Sequence, residues 1–287
     1  MSHVDWLSHI LQMITITGRV DVRCIYGAPW RVAWPQSVIH EVPYHIVLNG
    51  RAIIEDPETH TARELVAGDI VLLPHGSAHV LHDGSGHAPG PTCERHGSAG
   101  LTLSENGDHG ERLDMLCGRF LIGRPHERLI RNYLPNNVVI RTFPHPDESD
   151  AKSAPRHLAS LIGLMREDST GDKVGRYTIL NALSSALFTL VLREAIGFDS
   201  PPAGLLALAG HPRLAPAISA MFADPARPWN LPELAALCSM SRATFMRHFQ
   251  DTLGRSAIEL LSDIRMSLAA NDPRRLHLNL QDGSPAA

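Results

Sequence analysis

The residues with the clearest chemistry lie between positions 241 and 250. Phe245 and Phe249 are four residues apart, which predicts the buried face of one helix, and Ser241 can cap its N-terminus. The remaining residues form the outer face, which carries two fixed positive charges and no carboxylate. Its members are Arg242, Ala243, Thr244, Met246, Arg247, His248 and Gln250. Phosphates attract cations, and base edges accept hydrogen bonds from arginine, so this face is typical of a surface that enters a DNA groove.

A second, shorter helix must position that face. Asn230 is a good N-cap, Pro232 is tolerated in a first turn, and apolar residues follow at helical spacing: Leu231, Leu234, Ala235, Leu237 and Cys238. The segment 239–241 then breaks the pattern. Together the two segments predict a helix-turn-helix. The alternative is a two-helix hairpin that only packs inside an all-α domain.

The N-terminal half has a different pattern. Between Val20 and Ile122, short β-type runs alternate with Gly, Pro, Asn and Asp, which predicts a sandwich or barrel. His45 should share the inward face of its strand with Val47, because alternate strand residues face the same way. We predict that residues 83–112 form a mobile loop with at most one short strand, because the composition is rich in Gly, Pro, His and Ser.

Residues 124–150 read as a Pro-rich connection, and two helices follow it, Arg156 to Glu167 and Gly175 to Ala195. The second is apolar over more than one face, which is more than one neighbour needs. It is therefore a candidate dimer contact, with an intrachain core as the alternative. Residues 197–204 contain Gly and Pro that stop this helix and predict a linker.

Bulk composition limits the function. At 287 residues the chain can hold two domains, and a net charge of −4 requires any DNA contact to come from a local patch. Four cysteines without metal-site spacing fit a reducing cytoplasm. The N-terminus has no signal-peptide pattern, and no apolar run approaches the length of a membrane span. We therefore predict a cytoplasmic protein without a membrane partner.

The stretch LPELAALCSMSRATFMRHFQDTLGRSAIELL resembles the first helix-turn-helix of the AraC/XylS family of bacterial transcription regulators. The match continues through Gly254 and Ser256 into a linker helix, Ala257 to Ala270. The resemblance implies that operator DNA is the partner and that the helices after the barrel form a homodimer contact. It also implies two different roles for the exposed residues of the second helix. Ala243, Met246 and Arg247 approach base edges, whereas the residues nearer the DNA backbone are Arg242, Thr244 and Gln250.

The stretch GDIVLLPHGSAHVLHD, residues 68–83, resembles the second signature of the cupin superfamily, with Asp83 where that family has Asn. The resemblance implies that His79 points into the barrel. The first cupin signature is poor, because its paired His and Glu are missing. We therefore predict a barrel ligand pocket at His45, His79 and His82 without metal or other cofactor. The alternatives are a metal site, since imidazoles suit Zn, Cu, Fe or Ni, and a cupin enzyme, which needs three or four convergent ligands.

Within the AraC family, GDIVLLPHGSAH, LCGRF and HPRL resemble the reactive-chlorine-responsive type. Cys24 and Cys117 resemble the cysteine positions of that type, which implies redox sensing, and Arg23 and Arg119 are close enough in sequence to lower a thiol pKa. The alternative is that these cysteines only pack, as free cysteines usually do. Cys93 falls in the predicted loop and Cys238 in the helix-turn-helix core.

The predicted organisation is α+β. It comprises a cupin-like sensor barrel (1–130), connection and dimerisation helices (131–197), a linker (198–210), an AraC-type DNA-binding region (211–270) and a tail that matches nothing in the family (271–287). Because family members continue into a second helix-turn-helix, we expect truncation or a frame shift near Ala270 and weak operator binding. The leading function is a dimeric regulator that senses a small molecule or oxidant and is not an enzyme. A partner that dimerises without productive DNA binding is the remaining alternative.

Overall fold

The computed structural model describes residues 5–97, 100–107, 109–124, 126–142, 156–170, 173–197 and 203–270. The strands are β1 (Ile16–Gly27), β2 (Arg31–Trp34), β3 (Glu41–Asn49), β4 (Arg51–Glu55), β5 (Ala62–Val66), β6 (Asp69–Leu72), β7 (His79–His82), β8 (Thr92–His96), β9 (Thr102–Asn106), β10 (Arg112–Ile122) and β11 (Val138–Arg141). The helices are α1 (Trp6–Met13), α2 (Glu127–Tyr133), α3 (Arg156–Asp168), α4 (Arg176–Ile196), α5 (Leu205–Gly210), α6 (Ala215–Ala223), α7 (Leu231–Leu237), α8 (Arg242–Leu253) and α9 (Ala257–Ala270).

The chain divides into two compact units. One comprises residues 16–122 and 135–198, and the other comprises residues 1–15, 123–134 and 199–287. This division differs from the predicted boundary at residue 130, because α1 and α2 group with the helical unit. The predicted tail, 271–287, lies outside the described residues.

The first unit contains two sheets. A seven-stranded sheet has the order β11-β6-β3-β10-β1-β9-β8, and a four-stranded sheet has the order β2-β7-β4-β5. Buried side chains of both sheets meet in one core, among them Tyr26, Val47, Leu65 and Leu81. The α+β class with an N-terminal sheet-rich domain, predicted from the short apolar runs, is confirmed.

Helix α4 covers the outer face of the large sheet. Gly18 on β1 allows the close approach, because a Cβ there would lie 2.4 Å from the backbone nitrogen of Ser185. Polar side chains fix the contact: the Gly18 amide donates to Ser185 Oγ at 2.8 Å, and the Tyr44 and Ser184 hydroxyls lie 2.8 Å apart. By length and composition α4 is apolar enough to cross a membrane. These hydrogen bonds and its buried side chains instead make it part of the protein core.

Two local predictions were wrong. The segment 83–112 contains two strands, β8 and β9, because β9 pairs in parallel with β1 and β8 adds at the sheet edge. The segment 124–150 contains α2 and β11, and β11 pairs with β6 through Val138 and Ile140. Its residues 143–150 lie outside the described part of the chain. Strands β9 and β11 obtain their hydrogen bonds from partners distant in sequence, which local composition does not reveal.

The second unit is helical and contains the predicted helix-turn-helix. Asn230 and Glu233 form a capping box at the start of α7, and Ser241 caps α8 by accepting from the Thr244 amide. Phe245 and Phe249 are buried as predicted. The C-terminal end of α8 is closed by Gly254 in the left-handed conformation (φ 75°), which a residue without Cβ adopts readily.

Candidate functional site

The thiols of Cys24 and Cys117 face each other inside the barrel core. Both side chains are buried, and their Sγ atoms are 3.9 Å apart. They come from neighbouring antiparallel strands, with Cys117 opposite Val22 and Cys24 opposite Met115, so the two cysteines are diagonal neighbours on one face. From this geometry, only a local movement is needed to bring the two sulfur atoms to disulfide-bond distance.

Two imidazoles extend this pair. His45 lies directly opposite Cys117 in the β3–β10 pairing, and its Nδ1 is 3.0 Å from Cys117 Sγ. Its Nε2 is 2.8 Å from His79 Nε2, and His79 Nδ1 is 2.8 Å from the Ser77 carbonyl oxygen. The result is a continuous line from Cys24 through Cys117 and His45 to His79. The prediction that His45 shares the inward face with Val47, and the expectation that His79 points into the barrel, agree with this geometry.

His82 does not belong to this line, which corrects the predicted pocket of three histidines. His79 and Leu81 occupy the core face of β7, and strand alternation places His82 on the opposite face. There its Nε2 lies 3.5 Å from the Glu55 carboxylate. The error came from counting histidines along the motif without applying the two-residue period of a strand.

A cavity of about 490 Å³ opens beside His79. Its apolar wall includes Val71 and Val139, and its polar wall includes Asp56, Arg63 and Asn137. Trp34 stacks on His79, with ring centroids 6.1 Å apart and planes 5° apart. The line of thiols and imidazoles therefore has its pocket end at His79, while Cys24, Cys117 and His45 are each about 1% exposed.

Burial controls the charges of the four groups. It lowers the pKa of His45 well below its ordinary value and lowers the pKa of His79, so both rings are neutral at pH 7. A hydrogen bond from Cys117 holds the pKa of Cys24 below its ordinary value, whereas burial raises the pKa of Cys117 well above it. Of the two thiols, Cys24 is the one that accommodates a negative charge.

Arg23 and Arg119 are not the activating cations that their positions in the sequence suggested. Arg23 pairs with Asp114 through two nitrogens, at 2.9 and 2.7 Å. Arg119 contacts Asp21 at 2.8 Å and Glu41 at 2.9 Å. Because both guanidinium groups are neutralised by carboxylates, neither is free to stabilise a thiolate, and the nearest partners of the thiols are each other and His45.

The histidines do not converge on one point. The two Nε2 atoms face each other, while the Cys117 sulfur lies beside the opposite nitrogen of the His45 ring. Among the described residues, no group of three or more His, Cys, Asp or Glu side chains is arranged to hold a metal ion. The arrangement suits proton transfer along a line rather than coordination around a centre.

The second candidate site is the outer face of α8. Arg242, Ala243, Met246, Arg247 and Gln250 are exposed, and Thr244 is half-buried because its hydroxyl lies 2.9 Å from Ser241 Oγ. Within the part of the chain that the structure describes, neither arginine has a carboxylate within ion-pair distance. Their charges are therefore available to an external anion.

Comparison with known proteins identifies the family. A family model described as Cupin matches residues 5–197. The HTH-type transcriptional regulator MtrA of Neisseria gonorrhoeae is 30% identical over 274 residues, which cover 93% of this chain and 84% of the relative. This chain belongs to the AraC-type transcription regulators with a cupin domain. It is a DNA-binding regulator, as the sequence predicted.

A second curated relative agrees with this family. The RCS-specific HTH-type transcriptional activator RclR of Escherichia coli (strain K12) is 26% identical over 267 residues, which cover 93% of this chain and 83% of the relative. Among solved structures, the AraC-like transcriptional activator CuxR aligns over 90% of this chain and 77% of its own, with 12% identity and a TM-score of 0.32. Since the relatives are regulators, catalysis has no support from them.

Proposed function

We propose that this regulator senses a reactive chlorine oxidant by converting Cys24 and Cys117 into a disulfide, and that this conversion changes its affinity for operator DNA. The observation that carries the proposal is the buried approach of the two Sγ atoms to 3.9 Å. The name of the relative RclR, an RCS-specific activator, supports the same class of signal. It agrees with the resemblance drawn from LCGRF and the cupin motif.

The proposed conversion requires a small movement. A disulfide has an S–S length of about 2.05 Å, so the sulfurs must approach by roughly 2 Å. Irregularities of strand pairing already occur nearby, between Val20 and Val22 on β1 and between Asp114 and Met115 on β10. Formation of the disulfide would draw β1 and β10 together at the position of the two cysteines.

Peptide mapping under non-reducing conditions tests this reaction. The protein with Cys93→Ser, treated with one equivalent of hypochlorous acid, should yield a peptide pair joined through Cys24 and Cys117. Cys93 is removed because it is exposed on β8 and accessible to any oxidant. With all four cysteines present, we predict that Cys24 or Cys117 is modified before Cys93. Attack on Cys93 alone, with no joined peptides, would contradict the sensing role.

We further propose that the protein acts as a cytoplasmic homodimer. The outward side of α3 and α4 retains an apolar stripe of exposed and half-buried residues: Leu164, Ile179, Ala182, Leu183, Ala186 and Leu190. A second copy of the chain is the occupant that the AraC-type family supports. Leu187 of the same helix is fully buried inside its own unit and belongs to the intrachain core.

For DNA, the proposal assigns base-edge contacts to Ala243, Met246 and Arg247. Arg242, Thr244 and Gln250 would lie nearer the phosphates. The exposure of α8 and its two arginines free of carboxylate partners support this assignment. The amide nitrogen of Gln250 donates to the Gly254 carbonyl at 2.9 Å, so its contact with DNA competes with an existing role at the helix end.

A further inference from the structure

We infer that His45 and His79 form a proton relay that removes a proton from the cysteine pair and delivers it to the pocket end of the barrel core. The inference rests on the proposed oxidation of Cys24 and Cys117 and deepens it, because it names the groups that make a buried thiol reactive. A neutral thiol is a poor nucleophile, and the cations closest to the thiols among the described residues, Arg23 and Arg119, are paired with carboxylates.

The direction of the relay follows from the Ser77 carbonyl. A carbonyl oxygen only accepts hydrogen bonds, so His79 must donate to it from Nδ1, across 2.8 Å. In a neutral imidazole the other nitrogen then has no proton and is an acceptor. His79 Nε2 is therefore the acceptor that faces His45.

The same reasoning fixes His45. Its Nε2 lies 2.8 Å from an acceptor, so this nitrogen must carry the proton and donate. His45 Nδ1 is then the bare nitrogen, and the group 3.0 Å from it is the Cys117 thiol, which donates its S–H. Cys24 completes the line, because its thiol donates to the Cys117 sulfur across 3.9 Å.

Four donors therefore point the same way, and one concerted shift moves the first three protons by one place while the Nδ1 proton of His79 stays where it is. The Cys24 proton passes to Cys117, the Cys117 proton to His45 Nδ1, and the His45 Nε2 proton to His79. The products are a thiolate on Cys24 and an imidazolium on His79, which lines the pocket. This places the negative charge on the thiol with the lowered pKa and the positive charge at the pocket wall.

The reaction balances with hypochlorous acid. The Cys24 thiolate attacks chlorine, an S–Cl bond forms and the O–Cl bond breaks. The leaving hydroxide takes up the proton that returns from His79 along the line, so water forms and His45 and His79 regain their starting tautomers. The Cys117 sulfur then attacks the Cys24 sulfur, an S–S bond forms, chloride leaves, and the Cys117 proton enters the relay at His45. Two thiols and one hypochlorous acid give one disulfide, one water, one chloride and one proton.

The carboxylates around the thiols oppose formation of a thiolate, and burial keeps the imidazoles neutral. The charges that act on the thiols are carboxylates, Asp21 on Cys117 and both Glu94 and Asp114 on Cys24, and Tyr26 also hydrogen-bonds Cys24. On the imidazole side, the charge of His79 acts on His45. Asp21 and Asp114 are neutralised by their arginines. Since the pKa values of both histidines lie below the ordinary 6.5, the rings stay neutral and able to accept protons through the physiological range.

Long-range ¹H–¹⁵N NMR of histidine-labelled, reduced protein tests the starting state without any oxidant. We expect His79 as the Nδ1–H tautomer and His45 as the Nε2–H tautomer, with assignments from the signals lost in His79→Gln and His45→Gln. Protonation at Nδ1 in His79 and at Nε2 in His45 indicates that all hydrogen bonds along the line run in the same direction. If His45 carries its proton on Nδ1 in the reduced protein, the relay is refuted.

Oxidation kinetics test the relay in action. The oxidant is monochloramine, which stays neutral near pH 7, and the Cys93→Ser background isolates the buried pair. With the relay, the rate of disulfide formation should be flat from about pH 6.5 to 8.5 and fall at lower pH as the histidines protonate. In His45→Gln the rate should be at least tenfold lower at pH 7 and rise about tenfold per pH unit, because the thiolate must then form by loss of a proton to solvent.

Trp34→Phe is the matched control. Trp34 packs against both imidazole rings, with its ring centroid 5.3 Å from that of His45 and 6.1 Å from that of His79. It does not take part in the proposed proton transfer. It should keep the flat profile, whereas His79→Gln should resemble His45→Gln. Equal rates and equal profiles in all variants overturn the relay while leaving the redox proposal standing. Absence of a Cys24–Cys117 disulfide in the parent protein overturns the redox proposal itself, and NMR still decides the tautomers.

Discussion

At the residue scale, the buried line of thiols and imidazoles is assembled from four side chains on the three paired strands β1, β10 and β3 and on strand β7. The sequence indicated Cys24, Cys117, His45 and His79 separately, as two unrelated sites. Their contact depends on the pairing of β3 with β10, which places His45 opposite Cys117 although 72 residues separate them. The period of two predicts which face each residue occupies, but it does not predict which strands are neighbours. His82 was misplaced because the same period was not applied within β7.

Recognition of DNA also belongs to single residues, and Arg247 is the sharpest case. It is exposed on α8 and is the one predicted base-edge residue that can form a bidentate contact with guanine, worth ~1–3 kcal/mol of discrimination. Arg247→Ala should relax preference at one base pair. The matched variant Arg242→Ala should weaken binding to all sequences alike and reduce the salt dependence. Binding measured against single-base operator variants separates the two, and uniform loss in both variants would remove the assignment.

At the element scale, the helix-turn-helix was predictable and the sheet edges were not. Caps such as Asn230 and Ser241 and the Phe245/Phe249 spacing act within a few residues, so the sequence contains the whole signal for α7 and α8. Strands β9 and β11 form through pairing with distant strands, and β8 adds to β9 at the sheet edge. The same limit explains Leu187, since the sequence showed an apolar helix but not which face the sheet would cover.

Helix α4 provides the prediction at this scale. Ile179 is 46% exposed and Leu183 is half-buried on its outward side, so Ile179→Glu with Leu183→Glu should produce monomers by placing two unpaired charges in the contact. Glu at the exposed Lys173 is the control for added charge alone. Light scattering at micromolar protein concentration measures whether each variant is a monomer or a dimer. A monomeric parent protein, or a dimer that persists in the double variant, would show that this stripe is not the contact.

For the whole molecule, we propose that the cysteine pair in one unit controls the DNA-binding face of the other. The two units are joined by the chain itself: β1 follows directly after α1, and β10 runs directly towards α2, so the two cysteine-bearing strands continue into helices that group with the DNA-binding unit. In that unit α1 packs on α6 through Trp6 and Phe222, and the Tyr133 hydroxyl of α2 donates to Asp263 of α9 at 2.7 Å. Under the proposal, the disulfide would form between two strands that are continuous in sequence with segments of the DNA-binding unit.

The most direct measurement is a salt-titrated DNA-binding assay with DNA from upstream of the protein's own locus, before and after one equivalent of hypochlorous acid. The parent protein should change its affinity by tenfold or more on oxidation and recover with a thiol reductant. Cys24→Ala should match the reduced parent and show no response, while Cys93→Ser should respond as the parent does. An affinity that oxidation leaves unchanged, or a response that survives Cys24→Ala, would contradict the account.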